Sequence, residues 1–196
     1  MRAEWVSDRS LDAALSCLMP PNRLVLKVSL VTGLRVGDVL SLTVDDVTRG
    51  RPTVREQKTG KTRRVYIPEF LRDEILKEAR AMHPKAVYAF PGRINPEHSK
   101  RTRQAVYKDM RRACDALRLD SNLTPHSARK IYAVNELHTS GDLTEVQKQL
   151  NHSDPAVTML YAMADQIRGT SYRARRRRRK KDAPEVSNNG SSPADE

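Results

Sequence analysis

The chain has 196 residues, a formal charge of +12 at pH 7 and a hydrophobic fraction of 38%. This length allows one domain with a substantial core, and the excess positive charge predicts an anionic partner, nucleic acid first. The cysteines form no C-x-x-C pair, the histidines lack zinc-ligand spacing, and no apolar run is long enough for a bilayer. We therefore expect no metal, no cofactor, no membrane partner and a reducing, intracellular compartment.

The first third of the chain is predicted to be helical. "SLDAALSCLM" has amphipathic spacing and is expected to end at Pro20 and Pro21. "NRLVLKVSLVTG" predicts a largely buried helix with Gly33 as its C-terminal stop. "LRVGDVLSL" is expected to open another helix.

Between residues 44 and 67 the spacing of the apolar residues no longer follows the period of a helix. "RPTVREQKTGKTRRVYIP" contains two β-prone runs around a glycine turn, which predicts a hairpin. After Pro68, "EFLRDEILKEARAM" predicts an amphipathic helix, and "HPKAVYAFPGRINPEHSKRT" predicts a loop with at most one short strand.

Three further helices are expected before a basic tail. "RTRQAVYKDMRRACDALRL" is strongly basic, and the next helix has Thr124 as its cap, Pro125 at its first position and Gly141 beyond its end. "DLTEVQKQL" begins at Asp142. We expect residues 1–168 to form a mostly helical α+β domain with one small antiparallel sheet, and residues 169–196 to be a disordered basic tail.

Two candidate sites lie at element junctions. Arg35 in "TGLRVGD" follows a helix-ending glycine, so its backbone is fixed, and Asp38 could orient its guanidinium. Lys58 and Lys61 flank the hairpin turn, where a lysine can bring a proton to a departing oxygen. Taken alone, these residues would be an ordinary surface ion pair and a solvated turn.

Two more candidates lie in the C-terminal half. His126 and Arg129 share one side of a helix N-terminus, where the dipole and free N–H groups favour phosphate. In "LNHSDPAVTMLYAMAD", His152 precedes a helix start and Tyr161 lies on an apolar stripe of that helix. A tyrosine on such a stripe is usually a core residue, so this segment alone favours packing over chemistry.

The order of these residues resembles the catalytic domain of the tyrosine recombinases, or phage integrases. The resemblance is carried by Arg35 in "TGLRVGD", Lys58 in "EQKTGKTRRVYIP", "HSAR" at 126–129, His152 in "LNHSD" and Tyr161. The intervals from the second arginine to the second histidine and on to the tyrosine agree as well. It implies the DNA breaking-rejoining fold with a small three-stranded antiparallel sheet.

The resemblance also implies roles. Tyr161 would be the nucleophile, forming a 3′-phosphotyrosyl intermediate without metal or ATP, and His126 would assist removal of its proton. Arg35 and Arg129 would balance the charge of the transition state. His152 would donate a hydrogen bond to a phosphoryl oxygen, and Lys58 would protonate the 5′-oxygen, with Lys61 as its rival.

The implied partner is double-stranded DNA carrying paired recombination sites. The implied assembly is a tetramer on DNA from a monomer or weak oligomer in solution, in a bacterial, phage or mobile-element cytoplasm near the nucleoid. Family members usually carry a helical DNA-binding domain before the catalytic one, and the position of Arg35 leads us to expect none in this chain. Asn151 and Asp38 stand where glycine and glutamate are common in the family.

Two alternatives share these residues. A type IB topoisomerase uses a similar set of side chains but relaxes supercoils without a partner site. A non-catalytic DNA-binding protein of the same fold would form no covalent product. The "TGLRVGD" segment and the short interval from "HSAR" to Tyr161 favour the recombinase.

Overall fold

The computed structural model describes residues 8–119 and 123–150, all within one compact unit, Met1–Ala162. In this part of the chain, the helices and strands are α1 (Asp8–Cys17), α2 (Pro20–Thr32), α3 (Val36–Val39), α4 (Val44–Arg49), β1 (Thr53–Arg55), β2 (Thr62–Arg64), α5 (Glu69–Met82), α6 (Arg103–Ala116), α7 (Pro125–Ser140) and α8 (Leu143–Gln149). None of these helices is long and apolar enough to cross a membrane.

Helix ends follow the predicted caps. Helix α7 begins after Thr124, whose N–H donates to Ser127 Oγ at 3.2 Å, and it stops at Gly141 with φ 68°. Helix α8 begins at Asp142, whose carboxylate accepts from the N–H of Thr144 at 2.7 Å. These local contacts satisfy N–H groups that the first turn of a helix leaves without a partner.

Two details of the N-terminal half differ from the predictions. Pro20 and Pro21 do not end α1 but open α2, since a first turn does not need their missing N–H. Helix α4 was not predicted; a capping box starts it, with Thr43 N–H on Asp46 Oδ2 at 3.0 Å and Asp46 N–H on Thr43 Oγ1 at 3.1 Å.

The predicted hairpin is present, but in the described residues the sheet has two strands rather than three. Strands β1 and β2 are antiparallel, with Val54 opposite Arg63. The predicted loop at 83–102 makes two isolated bridges, Pro91 to Lys100 within itself and Thr43 to Tyr88 with the chain just before α4. The pairing stops there because the chain enters α4 at Val44.

Helix α2 lies at the centre of the core. Val25, Leu26 and Val28 are fully buried, and the helix packs against α5 and α7. A smaller cluster of Ala133, Val146 and Leu150 attaches α8 to α7. The C-terminal ends of α2 and α8 therefore lie beside the first turns of α7, where the candidate residues are found.

Candidate active site

Arg35 lies at the junction between α2 and α3. Gly33 adopts the left-handed conformation, φ 65°, and its N–H donates to the Ser29 carbonyl at 2.9 Å, which ends α2. Arg35 follows as the N-cap residue of α3. Its Nη1 donates to the carboxylate of Glu56, and its side chain remains 22% exposed. The junction thus fixes the backbone of Arg35 and leaves part of its guanidinium accessible.

The expectation that Asp38 orients Arg35 was wrong. Asp38 is buried, and its Oδ1 accepts from the backbone N–H of Gln57 at 2.9 Å. It therefore attaches α3 to the hairpin, while Glu56 takes the ion pair with Arg35. Asp38 still contributes to the field, because its charge raises the pKa of Arg63 and Arg129 against the lowering effect of their burial.

Glu56 is the acidic centre of the site, and sequence reasoning missed it. This fully buried carboxylate pairs with Arg35, lies 3.6 Å from Arg63 Nε and 4.0 Å from Arg129 Nη1, and accepts from Thr59 Oγ1 at 3.0 Å. One buried negative charge thus faces three guanidinium groups. The site retains positive charge for an anion.

The strand pattern contained a signal for Glu56. In β1, Thr53 and Arg55 are exposed and Val54 is buried, so the residue after Arg55 belongs on the buried face. Strand side chains alternate between the two faces with a period of two. A buried acid surrounded by basic residues in sequence predicts nearby cationic partners.

Arg129 is fully buried in the first turns of α7. Its Nη1 donates to the Gly33 carbonyl and its Nη2 to the Leu150 carbonyl, each at 2.5 Å. Its Nε has no hydrogen-bond partner among the described residues. Burial first, and then Arg35, lowers the pKa of Arg129 to about 10, so the group remains charged at pH 7.

His126 lies one turn before Arg129, with an exposed face. Partial burial, followed by the charges of Arg129 and Lys130 and then of Arg35 and Lys58, lowers the pKa of His126 to about 4. Each of these causes disfavours the imidazolium. The ring is therefore neutral at pH 7, and one of its nitrogens can accept a proton.

The two hairpin lysines are placed differently. Gly60 has φ 68°, and its N–H closes the turn by donating to the Glu56 carbonyl at 2.8 Å. Lys58 lines a cleft of about 780 Å³, whereas Lys61 is not among the residues lining it. Among the described residues, the structure thus brings Lys58, and not Lys61, together with Arg35, His126 and Arg129.

That cleft has a basic wall. It runs between α3, the hairpin, α6 and α7, and its cationic or titratable lining residues are Arg35, Lys58, Arg103, His126, Arg129 and Lys130. Tyr107, 45% exposed, adds an aromatic surface. A cleft of this charge suits a phosphate backbone, because oppositely charged polymers are attracted and their counterions released.

His152 and Tyr161 lie outside the described residues. The last described residue before them is Leu150, whose carbonyl accepts from Arg129. The chain that leads to His152 therefore starts from a position fixed beside the guanidinium cluster.

Tyr132 is the described tyrosine beside this cluster. Its hydroxyl donates to Gln149 Oε1 at 2.8 Å. Burial first, and then Glu136, raises the pKa of Tyr132 to about 12. A phenol that is harder to ionise than usual is a poor nucleophile at neutral pH.

The Phage integrase family model matches residues 7–168 of the chain. One relative, the probable integrase/recombinase YoeC of Bacillus subtilis (strain 168), is 32% identical over 141 residues, covering 69% of this chain and 73% of YoeC. The chain spans about half the length of the XerD tyrosine recombinases that it matches, 49% of the protein from Lacticaseibacillus casei, at 25% identity.

Solved structures share the arrangement of helices and hairpin. The crystal structure of XerA recombinase matches with a TM-score of 0.67 and 21% identity, over 87% of this chain and 64% of that one. A lambda integrase tetramer bound to a Holliday junction matches with a TM-score of 0.64 and 17% identity, over 82% and 48%. These likenesses confirm the predicted fold.

Proposed function

The chain belongs to the phage integrase family, and from this premise we propose that it cleaves and rejoins DNA as a site-specific tyrosine recombinase. The observation that carries the proposal is the basic cleft lined by Arg35, Arg129 and a neutral His126, with the two arginines held by the buried Glu56. These groups are suited to bind a phosphodiester and to accept a proton without a metal ion.

The two arginines would balance the negative charge of the phosphorus transition state. A guanidinium donates through a planar fork that matches two phosphoryl oxygens, and a lysine cannot reproduce this geometry. Arg35 remains partly exposed to the cleft, and Arg129 Nε has no partner among the described residues. The exposed part of Arg35 leaves a donor for a bound phosphate, and Arg129, which lines the cleft, adds its positive charge, which supports this role for the two arginines.

Tyr161 would attack the scissile phosphorus. A tyrosine with a pKa near 10 needs roughly 4 kcal/mol to ionise at neutral pH, unless a base takes the proton during attack. The neutral state of His126 supports its role as that base. His152 would donate a hydrogen bond to a phosphoryl oxygen, as the family resemblance implies.

The leaving group needs a proton in the same step. As the bond between phosphorus and Tyr161 Oη forms, the bond to the 5′-oxygen breaks, and that oxygen leaves as a hydroxyl with a proton from Lys58. The position of Lys58 in the cleft supports it over Lys61. The 3′-phosphotyrosyl product keeps the energy of the broken bond, so rejoining needs no ATP.

We further propose double-stranded DNA with paired recombination sites as the substrate and a homotetramer as the active assembly. The lambda integrase tetramer on a Holliday junction has this fold, which supports the tetramer. A DNA substrate of a bacterial or mobile-element enzyme would place the reaction in the cytoplasm, at the nucleoid.

Incubation with nicked suicide DNA substrates tests the proposal. The wild-type protein should form a covalent protein–DNA adduct in excess EDTA, and Tyr161→Phe should form none while binding DNA nearly as well. Tyr132→Phe and Tyr172→Phe are the matched controls and should retain the adduct. An adduct with Tyr161→Phe would refute the nucleophile, and a strict magnesium requirement would refute the metal-free step. Supercoil relaxation without a second site would instead favour a topoisomerase.

A further inference from the structure

Arg63 is a nearly buried arginine of strand β2 that has no part in the reaction described above. Its side chain is 13% exposed. Its Nη1 donates to the Gln149 carbonyl at 2.5 Å and its Nη2 to the Thr32 carbonyl at 2.7 Å. Its Nε lies 3.6 Å from Glu56 Oε1. One guanidinium therefore joins the hairpin to two helices that are distant in sequence.

Both carbonyls belong to the last residue of a helix, Thr32 of α2 and Gln149 of α8. Carbonyls of a last helical turn lack an intrahelical partner and carry the negative end of the helix dipole. A buried guanidinium satisfies two of them at once. The same side chain thus stabilises both helix ends and fixes the distance between them.

Arg129 also donates to two backbone carbonyls, each one residue after a carbonyl that Arg63 contacts. Arg63 holds the carbonyls of Thr32 and Gln149, and Arg129 holds those of Gly33 and Leu150. Glu56 lies between the two guanidinium groups. The two arginines form a paired clamp across the ends of α2 and α8, with a shared counter-charge.

Each segment held by Arg63 leads to a residue of the proposed reaction. Arg35 comes three residues after Thr32, His152 comes three residues after Gln149, and Lys58 lies on the hairpin that carries Arg63 itself. We propose that Arg63 is a positioning residue, which sets the mutual placement of these three segments through the two carbonyls. The inference rests on the proposed function for its effect on catalysis.

The first test is the single-turnover rate of adduct formation at saturating protein. Arg63→Ala should lower this rate about 100-fold, since misplacement by about 1 Å costs this much. Arg63→Lys should be nearly as slow, because one ammonium cannot reproduce the fork between two carbonyls. Added guanidinium ion at low millimolar concentration should restore part of the rate of Arg63→Ala and none of Arg63→Lys.

Two control variants separate positioning from charge and from stability. Arg64→Ala removes the same charge from the next, exposed position of β2, so it should weaken DNA binding and leave the saturated rate within twofold. Thr43→Ala removes the capping hydroxyl of α4, which accepts from Asp46 N–H at 3.1 Å, and lowers stability in a helix that does not line the cleft. Equal loss of rate in either control would overturn the proposal, as would a wild-type rate in Arg63→Ala.

Amide hydrogen exchange tests the clamp even if the wild type forms no adduct. In Arg63→Ala, peptides covering residues 56–64 and 143–150 should exchange about tenfold faster, while those of α5 keep the wild-type rate. Unchanged or uniformly faster exchange would overturn the clamp. Absence of a wild-type adduct would instead refute the proposed function, so the two failures are distinguishable.

Discussion

His126 combines a position in the cleft with an unusual ionisation state. Its pKa is about 4 in the folded protein against an ordinary value of 6.5, so the unfolded chain binds the proton more tightly. Stability therefore falls as the pH drops from about 6.5 to 4 and is unaffected by this group at higher pH. We expect His126→Asn to lose less stability than the wild type between pH 7 and pH 5.

Urea denaturation at the two pH values measures this difference. His138→Asn changes a histidine in the last turn of the same helix and serves as the control for the loss of a histidine side chain. Parallel losses in the wild type and His126→Asn would contradict the lowered pKa.

Glu56 is the only acid in direct ionic contact with the three guanidinium groups in the described residues. Glu56→Gln keeps the shape of the side chain and removes the counter-charge from a fully buried site. Breaking a buried ion pair in this way typically costs about 3–5 kcal/mol. We expect a loss of about 3 kcal/mol in the free energy of unfolding, measured by urea denaturation at pH 7.

The matched control is Glu74→Gln, which breaks the exposed ion pair between Glu74 and Lys27. Exposed pairs contribute about 0–1 kcal/mol, so this variant should remain near the wild type. Similar losses in the two glutamine variants would show that the buried carboxylate does not hold the site together.

The sequence proposes the catalytic candidates residue by residue, because their types, order and spacing are visible in it. Glu56 and Arg63 could not be predicted in the same way. Glu56 pairs with Arg35, and Arg63 donates to the carbonyls of Thr32 and Gln149. These partners lie far along the chain from Glu56 and Arg63, and only the packing of the hairpin against α2 and α8 brings them close. The alternation of β1 indicates that Glu56 is buried, but not what surrounds it.

At the scale of elements, Gly33 joins the end of α2 to the site. Its φ of 65° disfavours a side chain, and an added Cβ would lie 2.4 Å from the Tyr132 ring. Gly141 has φ 68° and nothing within 4 Å of such a Cβ. Gly141→Ala should therefore cost only the backbone strain, about 1–2 kcal/mol.

Gly33→Ala adds a steric clash to the same strain, and overpacking of this kind costs about 1–3 kcal/mol more. Thermal unfolding of the two alanine variants side by side measures the difference. Equal melting temperatures would mean that the Tyr132 ring moves away without cost. In that case the contact between α2 and α7 would be looser than the structure indicates.

The element predictions succeeded where local signals are strong. Helix α5 has exactly the predicted bounds because its apolar spacing extends over several turns, and α7 has both caps in its sequence. Helix α4 has six residues, too few to show a period, although its capping box was legible in "TVDD". The third strand does not form in the described residues because the chain enters α4 at Val44, and strand propensities alone do not predict that position.

At the scale of the whole molecule, positive charge is concentrated in two regions of the chain. The cleft has a basic wall in the described residues, and the sequence after residue 171 contains the run "RARRRRRKK". The first surrounds the proposed reaction. The second lies outside the described residues, contains no proposed catalytic residue, and we propose that it acts on DNA through its charge alone.

Truncation after Ser171 tests whether the basic run contributes to DNA affinity and not to the reaction in the cleft. Each phosphate that the arm neutralises adds about 0.9 to the slope of log affinity against log salt, so the truncated protein should show a slope flatter by several units. Affinity should fall alike for specific and random DNA, because phosphate contacts carry no sequence information. The single-turnover cleavage rate at saturating protein should barely change.

Truncation after Lys181 is the matched control, because it removes the acidic and polar end of the tail and keeps the basic run. Its salt slope should be no flatter than that of the full chain. An unchanged slope after truncation at Ser171 would show that the arginines do not contact DNA. If the protein truncated after Ser171 bound DNA normally but did not cleave it, the tail would be needed to assemble the active site and not for DNA affinity.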